Sequence, residues 1–489
     1  MTSSLLAPDT SALARKAPVG IKFKLLYGSG GAIDGIAGAA LTYFLLFYLT
    51  SVCGLSGTLA GTALLVGLLI DAVADPMIGL LSDNTRSKRG RRFPYLLYGT
   101  IPLAILFALM FSIPAWLTGT ALLLYAGAVA MALRICISIF LLPFVAVGAE
   151  VTDDYVERSS IVTWRICFNM IGSFLALGLG LGVFMAGKDG LLHREAYVGF
   201  GWTCAAIIAV AGLTSAFATK AVLPRLHAAE APEGPIVRRF IRELGEVFRN
   251  RSFVVLFGTV VVFFVAQGTA GALALYLNRY FWQLSTESVQ FILVGMTLGP
   301  FLGAPLTAVL ARFLEKKTLT ILNFLVFIVT QAWPPLAHMA GLLGGQDTPI
   351  VPILLANALC SGAALVGVAI SAQSMMADAT DEHEHRFGVR REALFFSGLT
   401  LAVKAASGLG GFIAGVALDL IHFPTAVAAK GGDLALAPDV LRNLGWVAGP
   451  LPAAITLLAP LILLGYTLSK HRHAAILADL AERRASAPQ

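Results

Sequence analysis

Apolar residues run along this chain in long stretches broken by short polar segments, and the pattern recurs twelve times. A helix needs about 20 apolar residues to cross the hydrocarbon core of a bilayer. The stretches predict spans near 25–51, 57–82, 94–115, 119–149, 160–187, 196–223, 252–279, 286–313, 318–343, 350–377, 392–422 and 444–469. The longest polar break, 224–251, divides them six and six. The expected organisation is a bundle over 1–223, a linker over 224–251, and a second bundle with a polar tail over 252–489. Within the linker, 236–248 has helical spacing and mixed charge, which suits a helix on the membrane surface or a linker helix away from lipid.

The two halves echo each other. Asp75-Pro76, Leu81-Ser82-Asp83 and Arg86-Ser87-Lys88-Arg89 close the second span, and Ala304-Pro305, Leu310-Ala311-Arg312 and Glu315-Lys316-Lys317 stand in the matching place of the eighth. Ala149-Glu150-Val151-Thr152-Asp153 likewise matches Ala377-Asp378-Ala379-Thr380-Asp381, and both echoes are offset by 228 to 229 residues. Parallel repeats of six spans, related by an axis along the membrane normal, describe the major facilitator architecture, with substrate bound between the halves. The expected fold is therefore an all-α membrane protein of twelve transmembrane helices in two six-helix bundles, working by alternating access.

Composition agrees with that expectation. The chain is 57% apolar and 13% charged, more apolar surface than a soluble protein of 489 residues could bury. The net charge of +7 follows topology and implies no nucleic-acid partner. With both termini inside, five of the 35 Lys and Arg fall in outside loops (Lys188, Arg194, Arg279, Lys430, Arg442). Three lie within spans and the remaining 27 are inside, as the positive-inside rule requires. Residues 1–20 show no cleavable signal, so the first span directs insertion into the cell (inner) membrane. The five Cys are scattered without a CxxC pair, which suits packing rather than disulfides or metal. No glycine loop with Lys and Ser/Thr is present to cradle phosphate, so transport must draw on an ion or substrate gradient. The expectation is a monomeric transporter, not an enzyme, with no cofactor beyond a coupling Na⁺ or H⁺.

Six ionisable side chains fall deep in the spans: Asp34, Asp71, Asp75, Arg134, Arg165 and Lys404. Each is costly against lipid and marks an ion or substrate path, or a partner for another. Asp71 and Asp75 lie four residues apart on one helix face, close enough to hold one cation. Pro76 behind them frees the carbonyl of Ala72. The competing reading is that a base on another span neutralises the pair. Asp34, in the glycine-dense stretch from Gly28 to Gly38, is expected either to accept from substrate hydroxyls or to bridge to Arg134 or Lys404. The inside segment 83–94 invites gating: Asp83, Arg91 and Arg92 pair with Glu150, Asp153 and Arg158, while Asp378, Asp381 and Arg390 serve the second half. His383 and His385 are placed in a solvated charged loop that binds no metal.

Three segments carry a family resemblance: DAVADPMIGLLSDNTRSKRGRRFP (71–94), LPFVAVGAEVTDDYVERSSIVTWR (142–165) and ADATDEHEHRFGVRREALFFSGLTLAVK (377–404). The chain resembles the glycoside–pentoside–hexuronide:cation symporters of the major facilitator superfamily over nearly its whole length. The resemblance implies that Asp71 and Asp75 bind the coupling Na⁺, Li⁺ or H⁺, with Lys404 near that site and Asp34 and Arg165 on the sugar. Melibiose permease-like members carry an aspartate where this chain has Leu141 and a tryptophan at the place of Val145, which argues against galactoside binding. Ser138 remains as a cation or substrate ligand. Arg134 adds a positive charge about two turns from Leu141, giving three carboxylates against three cations. A coupling cation would leave the cavity positive, so the expected substrate is an acidic sugar such as a hexuronide. A lysophospholipid or other amphiphile, H⁺-coupled efflux by antiport, and a non-transporting membrane receptor are the alternatives.

Overall fold

A computed structural model describes residues 19–87, 89–152, 154–187, 189–225, 245–343, 349–388, 392–430 and 436–486. Twelve helices among them are long and apolar enough to cross a membrane: α1 Ile21–Val52, α2 Gly57–Asn84, α3 Phe93–Met110, α4 Gly119–Glu150, α5 Val156–Phe184, α6 Arg194–Ala221, α7 Arg251–Phe281, α8 Thr286–Leu310, α9 Lys316–Met339, α10 Ile350–Phe387, α11 Leu394–Leu420 and α12 Pro438–Leu463. A further helix, α13 Lys470–Ser486, follows. Side-chain oxygens at the helix starts satisfy otherwise orphaned backbone N–H groups. Asp154 accepts from Glu157 N at 2.7 Å at the start of α5, and Asn250 accepts from Phe253 N at 3.1 Å at the start of α7. Large apolar side chains such as Leu69, Leu124, Val210 and Phe301 point outward unburied, which only a lipid environment tolerates at this density.

The repeat read from sequence reappears as packing. In the first half α1 packs on α5, α2 on α4, and α3 on both α4 and α6; in the second, α7 packs on α11, α8 on α10, and α9 on both α10 and α12. The halves meet where α2 crosses α11 and α5 meets α8. The π-helical turns Tyr48–Val52 of α1 and Leu277–Phe281 of α7 stand 229 positions apart, a further echo.

Small residues set the helix spacing at the seams that matter. A Cβ on Gly35 of α1 would lie 1.8 Å from the carbonyl oxygen of Asn169 on α5, and one on Gly57 of α2 would lie 2.2 Å from that of Gly415 on α11. Only a bare Cα permits these approaches.

Two expectations need correction. The tenth span continues well past residue 377 to Phe387, ending where Gly388 takes a positive φ of 73°. Consequently His383 and His385 are helical, and His383 is buried, packed against the rings of Phe387 and Phe395. The helix persists because α13 packs along it: His385 and Arg483 both pair with Asp479, and Arg472 pairs with Glu382. In the linker, 226–244 lies outside the described residues; Val247 beyond it is buried in the core of the second half.

The bundle has two distinguishable ends. The described residues of 83–92, 150–158, 312–317 and 378–387 share one end, the basic end. At the far end, the two halves are tied together. Asp419 of α11 accepts from Gly57 N and Thr58 N at the start of α2, each at 2.7 Å. Arg279 pairs with Asp189, the Ala426 N–H donates to Thr50 O at 3.0 Å, and Phe47 packs on Tyr276.

Candidate functional site

Helix α2 carries Asp71 and Asp75 one turn apart, and its neighbours α4 and α11 supply the groups that meet them. Asp71 is only 3% exposed. Its Oδ2 accepts from Nη1 of Arg134 on α4 at 3.0 Å, and its Oδ1 is buried with no hydrogen-bond partner. Asp75 accepts from the Ser138 hydroxyl on α4 and, at 2.6 Å, from Nζ of Lys404 on α11. Each carboxylate thus faces its own base, so neutralisation by other spans is realised at both positions. The spacing that places Arg134 and Ser138 one turn apart on α4 matches that of the aspartates, which is why the two pairs form side by side.

The Asp75–Lys404 pair has a property the other lacks: it joins the two halves at mid-membrane. An ion pair held at low dielectric is far stronger than one at a surface, yet it also offsets a large desolvation penalty. Removing either partner therefore exposes an uncompensated buried charge.

Asp34 sits on α1 beside Arg165 and Asn169 of α5. Its Oδ2 accepts from Asn169 Nδ2 at 2.9 Å. The bridge to Arg134 or Lys404 weighed from sequence is not formed, because both bases are engaged at α2; all three cations nonetheless lie within electrostatic reach of Asp34. Arg165 makes no hydrogen bond or ion pair with a described residue. Asp34, Arg165 and Asn169 line a cavity of about 310 Å³ together with the apolar side chains of Leu141, Phe144, Val145 and Ile166. The glycine approach of α1 to α5 creates this pocket, since it brings Asp34 level with Arg165. Asn169 was not foreseen; its signal was an amide one turn from Arg165 in an otherwise apolar span. Asp419 was also missed, because nothing local distinguishes a span-end aspartate that caps a distant helix.

At the basic end, Arg91 and Arg92 both reach Glu150, and Arg92 also reaches Asp83 at 3.0 Å. Burial lowers the pKa of Arg92 from its ordinary value, while the Glu150 and Asp83 carboxylates oppose that shift. Arg158 stands apart from this cluster and donates to the Thr152 carbonyl at 3.3 Å. In the second half Asp378 pairs with Lys316 at 2.7 Å, and Asp381 with His473 at 3.0 Å. Asp153 and Arg390 lie outside the described residues. These pairs join elements of the same half, in contrast to the far-end contacts, which join different halves.

Comparison with known proteins gives a consistent result. A family described as MFS/sugar transport protein matches residues 26–470. The chain is 27% identical to an uncharacterized symporter of Synechocystis sp., covering 94% of this chain and 96% of that one. It is 24% identical to the glucuronide carrier protein homolog of Escherichia coli, covering 94% and 95%. The crystal structure of a D-xylose-proton symporter superposes with a TM-score of 0.61 over 91% of this chain and 97% of that one, at 13% identity, a likeness of fold.

Proposed function

This chain belongs to the MFS/sugar transport protein family, and on that premise we propose that it is a cation-coupled symporter of an acidic, sugar-like solute, a hexuronide or similar glycoside. The observation that carries the proposal is the buried network Asp71–Arg134 and Asp75–Lys404, set beside a cavity in which Arg165 makes no hydrogen bond or ion pair with a described residue. The cavity offers a free guanidinium for a carboxylate, and a carboxylate and an amide, Asp34 and Asn169, for hydroxyls. A relative named as a glucuronide carrier homolog supports the same class.

The basic end faces the cytoplasm in this reading, because the excess of Lys and Arg lies there. The protein then sits in the cell (inner) membrane with its N-terminus cytoplasmic. The cavity residues lie about one to four turns from the basic-end termini of their helices, while the far end is sealed across the halves. That combination is an inward-facing arrangement. A coupling cation, Na⁺ or H⁺, that reaches Asp75 competes with Lys404 and so acts on the bond between the halves. Asp83, Arg91, Arg92 and Glu150 hold the ends of α2, α3 and α4 as one unit, so the first half rocks as a rigid body.

The test is uptake of labelled methyl glucuronide by proteoliposomes under imposed ion gradients. Concentrative uptake under an inward cation gradient, lost in Arg165→Ala, is expected. Uptake of a neutral sugar that is insensitive to Arg134→Ala and Arg165→Ala would overturn the substrate class. The apolar wall of Leu141, Phe144, Val145 and Ile166 favours one second reading, an anionic amphiphile such as a lysophospholipid. Competition by lysolipid against methyl glucuronide distinguishes the two.

A further inference from the structure

We propose that Arg134 is a tethered cation that occupies the sodium place at Asp71, so that this transporter does not bind Na⁺ there. The inference rests on the symport reading above and specifies which ion the site rejects.

The argument is one of charge and place. Asp71 is almost fully buried, and a lone carboxylate at membrane depth must be neutralised by a metal ion, a proton or a neighbouring base. Here the base is built in: Arg134 Nη1 lies 3.0 Å from Asp71 Oδ2. A guanidinium is always charged and cannot leave the protein, so it acts as an ion that never dissociates. One turn further along, Lys404 does the same at Asp75. The four groups sum to zero charge. A sodium ion entering between them would add an uncompensated positive charge beside two fixed ones. Oxygen ligands are not what is lacking, because Asp71 Oδ1 is buried and unpartnered and the Ser138 hydroxyl is close by on Asp75. What is lacking is negative charge. The charge that decides this comes from α4, and Gly67 of α2, one turn before Asp71, leaves room for it: a Cβ there would stand 3.3 Å from Cγ of Arg134.

Removing the guanidinium should therefore create a sodium site. Equilibrium binding of radioactive sodium to the purified full-length protein reads this without any knowledge of the substrate. The wild type is expected to show no saturable sodium binding at millimolar concentrations. Arg134→Gln is expected to raise bound sodium about tenfold or more, equivalent to roughly 1.4 kcal/mol. The same variant should gain thermal stability from Na⁺ but not from K⁺. Adding Asp71→Asn to Arg134→Gln should abolish the gain, and Arg134→Lys, which keeps a tethered charge, should bind sodium no better than the wild type. Saturable sodium binding by the wild type that disappears in Asp71→Asn would overturn the proposal. So would a cooperatively melting Arg134→Gln protein that gains no sodium. If methyl glucuronide uptake ignores every ion gradient while sodium binding follows the expected pattern, symport is refuted and the role of Arg134 stands.

Discussion

Asp75 takes hydrogen bonds from both halves of the molecule, from Ser138 of the first and Lys404 of the second, so its loss has two separable consequences. Asp75→Asn should cut gradient-driven accumulation of methyl glucuronide about tenfold or more while sparing exchange at equal concentrations, because the cavity ligands remain. It should also leave Lys404 unpaired. Breaking a buried ion pair from one side costs about 3 kcal/mol, whereas replacing both charges costs far less. Asp75→Asn combined with Lys404→Gln is therefore expected to melt above either single variant, in a double-mutant cycle read by thermal unfolding. Additive losses would show that the two side chains do not interact in the membrane-embedded protein.

At the scale of elements, close glycine contacts position the site. Gly35 lets α1 approach α5 until Asp34 is level with Asn169 and Arg165. Gly35→Val should force the helices apart and lower both the melting temperature and glucuronide binding, whereas Val at Gly38, where a Cβ meets nothing within 4 Å, should change neither. The C-terminal helix α13 is a second case. Its Ile476 and Leu480 are buried, and Asp479 and Arg472 pair with the basic-end extension of α10. Truncation after Ser469 is expected to destabilise the second half, read as a fall in melting temperature, without altering the affinity of the cavity. The extension and its partner show how reading by hydropathy stops at the membrane surface: the charged stretch after residue 377 has the composition of a loop, and only packing against α13 keeps it helical.

At the scale of the whole molecule, the far-end ties join the two halves. Asp419 stands out because one carboxylate on α11 satisfies two backbone N–H groups at the start of α2. Asp419→Ala removes that tie and should shift the population toward the opposite, outward-facing state. A cysteine placed at Val145 is expected to become more reactive toward a membrane-impermeant thiol reagent added from the outside, and less so from the inside. Unchanged labelling from both sides would mean that the far-end cap does not hold the conformation.

The amino-acid sequence determined the number and order of the spans, the six-plus-six repeat and the identity of the deep ionisable residues, because each of these follows from the bilayer's intolerance of polar groups. It also singled out Asp34, Asp71, Asp75, Arg134, Arg165 and Lys404 without showing how they pair. That pairing belongs to the tertiary structure. Asp71 takes Arg134, Asp75 takes Ser138 and Lys404, Asp34 takes Asn169, and Arg165 remains open to the cavity. The spacing of residues along one helix fixes which side chains share a face. Which partners they meet depends on how closely neighbouring helices approach, and that is set by contacts between positions hundreds of residues apart.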